Sequence, residues 1–284
     1  MEPVVLWVKA GSDGIRLGGD PLCHQIFMIL IEKSLHPDSD LIFSVKTVNE
    51  AKPAPEFRAA GLRHAPALQH GDDLILSHQD EIIDYIDRKF PVPSLKCECS
   101  AASDATANLF RSFAFFIKEV NTDPKVREAL TMELIRLDGY LHDISTSFLA
   151  ADHLTHLDCY ILPKLHTIRI ALSALKEYEI PTNLHNLWGY MRRGYATESF
   201  RKSCPSDQEI ILYWAERPDT PNLTSQKRSH LYRQKTTYSW DIPVDAQNGC
   251  LDYEDLCAAL TFKLFTLWKF IIYTALAFSL VHDT

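Results

Sequence analysis

No run of lysines and arginines marks this chain as basic. Its 29 Lys and Arg against 37 Asp and Glu leave a net charge of −8. This argues against nucleic acid as a partner, because its binding depends on neutralising phosphates. Paired cysteines are missing too. The 7 cysteines are odd in number and scattered, as expected of a reducing compartment rather than a disulfide framework. Cys97-Glu98-Cys99 is a single C-x-C with no second pair, which argues against a zinc site. The opening Met1-Glu2-Pro3-Val4 has neither a basic stretch nor a long apolar run, so no secretory signal is expected.

The most consequential absence is a thiol at position 20. An apolar β-branched run, Val4 to Val8, leads through a loop from Gly11 to Gly19 into Asp20-Pro21-Leu22-Cys23. Strand, loop and a proline-opened helix form the geometry in which a helix N-terminus activates a cysteine by its dipole and free N–H groups. Here the first position of the turn is a carboxylate. Aspartate suits an N-cap, but it cannot form a mixed disulfide. The surviving thiol, Cys23, lies three residues further, inside the first turn.

With 46% hydrophobic residues over 284 positions, the chain is long enough for two domains. The first ninety residues alternate strand and helix. Helix 21–34 carries Ile26, Phe27, Ile29, Leu30 and Ile31; strand 41–48 follows, then a polar stretch 49–60 with room for a short helix. Ala65-Pro66-Ala67-Leu68, a Gly71-Asp72-Asp73 turn and Leu74-Ile75-Leu76 lead to Ser77, read as the cap of helix 79–89. This βαβ–ββα order is the thioredoxin topology, with Pro66 where that fold keeps a cis-proline. Phe90 to Ser94 reads as a linker. The patterning then predicts helices at 108–120, 124–147, 156–176 and 184–195. Thr155 and Asp158 stand at capping-box spacing before an apolar helix, with Leu154 as the staple residue, a pattern that opens the core helix of glutathione-transferase folds. The expected fold is thus α/β plus all-α: a thioredoxin-like domain over 1–91, an all-helical glutathione-transferase-like domain over 92–217, and a flexible extension over 218–284.

Longer motifs narrow this reading. Asp158-Cys159-Tyr160-Ile161-Leu162-Pro163-Lys164-Leu165-His166, the stretch from Tyr190 to Ile210, and His24-Gln25-Ile26-Phe27-Met28 resemble, in order, segments of the chloride intracellular channel (CLIC) proteins. Vertebrate members keep a reactive cysteine where this chain has Asp20. Aspartate with a cysteine three later resembles the invertebrate branch, as do Thr236-Thr237-Tyr238 and Ile242-Pro243-Val244-Asp245. The resemblance implies a protein that is soluble in the cytoplasm, docks to and inserts in membrane lipids, self-associates there and supports chloride transport. It also implies a glutathione-like pocket of Asp20, Pro21, Leu22, Cys23, Ala65, Pro66 and Ser77. With no thiol at position 20, glutathione would be held non-covalently if at all, and no efficient reductase activity is expected. A transferase or oxidoreductase using Cys23, and a non-conducting membrane scaffold, are the alternatives. Asp20 also has the oxygens a hard cation takes, although one ligand is not a site.

Two segments are candidates for meeting a bilayer. The family's inserting piece corresponds to roughly 21–48, which includes Ile26, Phe27, Ile29, Leu30 and Ile31. It also carries Glu32, Lys33, His36, Asp38 and Asp40, so it is a poor spanning helix and reads equally as domain core. The second is Leu264 to Val281, which contains Phe270, Ile271 and Ile272 and a single charge, Lys269. It meets the minimal spanning length, and reads as a spanning helix, a docking helix or a terminus foreign to the fold.

Overall fold

The structure is a computed structural model and describes residues 3–120, 123–220 and 222–247. Strand β1 (Val4–Lys9) is followed by helix α1 (Pro21–Ser34), β2 (Phe43–Val48), α2 (Pro55–Ala59), β3 (Ala67–His70), β4 (Leu74–Leu76) and α3 (Gln79–Lys89). The sheet order is β2-β1-β3-β4. β1 runs parallel to β2, with Leu6 opposite Val45, and antiparallel to β3, with Leu6 opposite Leu68. As the inner parallel strand, β1 is covered on both faces, which explains its continuous apolar run. The Ala65–Pro66 peptide is cis, as is Val92–Pro93.

The helical part comprises α4 (Ser100–Thr106), α5 (Leu109–Lys118), α6 (Pro124–Asp143), α7 (His156–Lys176), α8 (His185–Ala196), α9 (Glu198–Ser203) and α10 (Asp207–Ala215). Helix α1 packs on α7 and α9 as well as on its own sheet. Its Ile26, Met28, Ile29 and Leu30 are fully buried, and even His24, Gln25 and Lys33 are excluded from water. A helix apolar nearly all round has to be enclosed, and this one is the shared core of both parts. The contact is tight at the loop before it: a Cβ on Gly19 would lie 2.5 Å from the Glu209 carbonyl oxygen of α10.

The helix expected at 108–120 is α5, Leu109–Lys118, and α4 before it has too little periodicity to be seen in sequence. Helix α6 ends at Asp143, short of Ser147, because the segment beyond it folds back: Ser147 N–H donates to Asp152 Oδ1 (2.9 Å), and Tyr140 O–H to the Leu149 carbonyl (2.6 Å). Strand β2 starts at Phe43 rather than Leu41. Ser77 is not the cap of α3: His78 holds that position without a side-chain cap bond, and Ser77 is exposed.

Residues 218–247 are not the flexible extension their composition suggested. They form α11 (Ser225–Arg233), an extended run and α12 (Val244–Gln247). Asp207 accepts from Thr237 Oγ1 and from Ser239 N and Oγ, while Gln208 Nε2 donates to the Lys235 carbonyl and to Thr237 Oγ1. Arg169 of α7 donates to the Ser239 and Asp241 carbonyls at 2.8 and 2.6 Å. Ile242 and Ala246 are buried. The polar residues are spent on partners some thirty residues upstream, which a composition window does not see.

Candidate functional site

Asp20 caps α1. Its Oδ1 accepts the Leu22 N–H at 3.0 Å, and Pro21 occupies the first turn, where no N–H is needed. Its Oδ2 lies 3.8 Å from the Lys9 ammonium at the end of β1, and Lys9 reaches 3.2 Å to Glu50 on the other side. Glu50 in turn accepts the Ala65 N–H at 2.9 Å. One chain of charge thus links the helix start, the parallel strands and the loop before the cis-proline. It leaves Ala65 only its carbonyl to offer a peptide-like ligand. Burial pushes the Asp20 carboxyl above its usual value of 3.8, against the pull of the Leu22 N–H and of Lys9.

Cys23 turns away from solvent. It is 3% exposed, and its Sγ accepts the Lys9 N–H at 3.3 Å. Burial, with the negative charge of Asp20 beside it, raises the thiol well above its ordinary range. A thiol held protonated is not a nucleophile, so Cys23 does not replace the missing cysteine. Asp20, Pro21 and Leu22 do line a cavity of about 250 Å³, together with Gln25, Gln79, Phe110, Lys164, Tyr213, Trp214 and Arg217. Cys23, Ala65, Pro66 and Ser77 lie outside that lining. The helical walls of the cavity were missed in sequence, since periodicity shows that α5, α7 and α10 have apolar faces but not which faces meet α1.

Asp20's oxygens are already occupied by Leu22 and Lys9, and among the described residues no group of three or more His, Cys, Asp or Glu stands where it would hold a metal ion. His156 and His166 have structural partners. His156 Nε2 meets Asp87 Oδ2 at 2.9 Å, and the fully buried Lys33 ammonium lies 3.0 Å from Asp87 Oδ1. Lys33 also donates to the carbonyls of Phe90 and Pro93, each at 2.9 Å. This cluster joins α1, α3, the linker and α7. His166 is fully buried and bonded to Tyr195 Oη at 3.0 Å. The capping box forms: Asp158 Oδ2 accepts the Thr155 N–H (2.8 Å) and hydroxyl (2.7 Å), and its Oδ1 accepts from Leu149 N and Tyr190 Oη.

Of the membrane candidates, Ile26, Ile29, Leu30 and Ile31 are core and Phe27 is half-buried against it. Among the described residues no helix is long and apolar enough to cross a membrane. Phe270, Ile271 and Ile272 lie outside the described residues.

No protein-family model matches the chain. It is 40% identical over 245 residues to "Chloride intracellular channel exl-1" of Caenorhabditis elegans, a match spanning 85% of this chain and 100% of that protein. The crystal structure of the CLIC homologue EXC-4 from Caenorhabditis elegans superposes with a TM-score of 0.76 at 26% identity, covering 87% of this chain and 96% of that one. A dehydroascorbate reductase from Chlamydomonas reinhardtii, at 23% identity and a TM-score of 0.64 over 75% of this chain and 97% of its own, shares the fold. Identity at this level along the whole of a named relative, with the same two-part fold, places the sequence: this chain belongs to the chloride intracellular channel family.

Proposed function

We propose that this protein associates with membrane lipids from a cytoplasmic form, self-associates there and supports chloride transport. The observation that carries the reading is the 40% identity over the full length of a relative named as a chloride intracellular channel. The site supports it by what it lacks. With a buried, ion-paired Asp20 at the activated helix start and Cys23 a buried thiol, the fold retains no nucleophilic cysteine in this turn. A redox enzyme is the poorer reading.

Two routes to the bilayer compete. Releasing α1 means separating it from the sheet, α7 and α9, which costs a large part of a typical domain stability of about 5–15 kcal/mol. The apolar stretch 264–281 requires no such unpacking on sequence grounds, and the tail is therefore our proposed constitutive contact. Vesicle co-sedimentation tests this with the full chain and a form ending at Gln247, at pH 7 and pH 5. The full chain should pellet at both pH values and the shortened form chiefly at pH 5. Equal pelleting at pH 7 removes the tail from the account, and no pelleting of either form overturns membrane association.

A further inference from the structure

Lys164, on the third turn of α7, is a lysine without an ion-pair partner among the described residues. Only 8% of it is exposed, and among the described residues its ammonium makes no ion pair and no hydrogen bond. Its neighbours are rings: Nζ lies 5.1 Å from the centre of Phe110 and over the face of Tyr160. It lines the 250 Å³ cavity with Leu22, Tyr213 and Trp214 and with two charged residues, Arg217 and Asp20, the latter already held by Leu22 and Lys9. Lysine is almost never fully buried unless paired, so this placement asks for an explanation. Rings attract a cation but return only part of its lost hydration. Burial, with no carboxylate to oppose it, pushes the amine down to about 7 from 10.5. At neutral pH a large share of it is a free amine beside a cavity of mixed aromatic and polar walls, the state in which desolvated lysines act as nucleophiles.

We infer that Lys164 and the cavity around it form a covalent capture site for small aldehydes with an apolar or aromatic body, bound as an imine. The inference does not rest on the membrane reading. The amine nitrogen adds to the carbonyl carbon, and one of its hydrogens passes to the carbonyl oxygen to give a carbinolamine. The second hydrogen leaves with that hydroxyl as water, and the carbon–nitrogen bond becomes double. No oxidant or reductant is consumed. The aromatic walls take the aldehyde's body, and the cavity is large enough for a single ring but not for an extended chain.

Benzaldehyde with sodium cyanoborohydride is the probe, since reduction freezes any imine as a benzyl amine that peptide mass mapping locates. An ordinary lysine is neutral at pH 7 to the extent of about one part in 2,500, against roughly half for an amine titrating near 7. A less basic amine is also a weaker nucleophile, so we expect Lys164 in the full chain to be labelled at least tenfold faster than the exposed Lys52 and Lys96. Its rate should level off above about pH 7 while theirs keeps climbing. Leu22→Trp, which fills the cavity and leaves the amine in place, should remove the advantage, as should guanidinium. Labelling of Lys164 no faster than Lys52, or an advantage that survives in guanidinium, overturns the inference.

Discussion

The Lys9 ammonium stands 3.8 Å from the Asp20 carboxylate, across the turn where β1 ends and α1 begins. A family member that keeps a cysteine at this position presents a thiol to the helix start; here a buried carboxylate paired with a half-buried lysine fills it. Because burial raises the Asp20 carboxyl, folding disfavours its ionised form. The sign follows: the cost sets in as pH rises above 3.8 and is complete above the folded value. Asp20→Asn keeps the cap without the charge and should leave stability at pH 7 within about 1 kcal/mol of wild type or above it. Asp20→Ala loses the cap and should cost about 1 kcal/mol in urea unfolding. Asp20→Cys puts a thiol on the cavity at the helix start and should raise glutathione-dependent disulfide reduction above wild type; strong wild-type turnover abolished by Cys23→Ser would reverse this assignment.

Asp87 is where the two parts of the molecule are tied electrostatically. Burial raises its carboxyl, but His156 and Lys33 overcome that and hold it below 3.8. Its stabilisation is therefore present above pH 3.8 and lost only as pH falls through the lower, folded value. Removing it by Asp87→Ala leaves the Lys33 ammonium buried beside carbonyls alone. We expect a loss of about 3 kcal/mol, read as a lower midpoint in urea.

The histidines of the α1–α7–α9 interface act in a different pH window. His24 and His166 both pack on Phe200, and burial lowers each from 6.5 to about 3. Both fold neutral, so their contribution is intact above pH 6.5 and is lost as pH falls toward 3. At pH 5 the loss is on the order of 2 kcal/mol for each. His24→Phe should flatten the pH dependence of unfolding free energy between pH 6.5 and 5 by about one proton. An unchanged slope would mean that His24 is accessible to protons in the folded state.

Asp158 collects four donors in a site with no water access. Asn in its place presents an amide N–H₂ to donors. Asp158→Asn should cost about 3 kcal/mol or more, and Tyr190→Phe, which removes one donor and leaves the other three, about 1 kcal/mol. A smaller loss for Asp158→Asn than for Tyr190→Phe would contradict the network.

What was legible in the sequence followed local rules. The helix limits of α1, α3 and α7, the cap at Asp20 and the capping box of Thr155 and Asp158 depend on residues within one turn of each other. The Trp214, Arg217 and Lys164 walls of the cavity were not legible, because they come from faces brought together only by the packing of α5, α7 and α10 on α1. Nor was the order of residues 225–242, where Thr237 and Ser239 are fixed by Asp207 some thirty positions away. Cys23 is the surviving thiol of the turn, and the apolar packing that makes α1 a core helix buries it.

Chloride release is the most direct measure of the central claim. Vesicles loaded with potassium chloride and a quenched dye, with a potassium ionophore to carry the compensating charge, would be mixed with the full chain and followed by a chloride electrode. The account predicts chloride release that rises with protein concentration while the dye stays inside. Protein that pellets with the vesicles yet releases no chloride, or releases dye and chloride together, would contradict it.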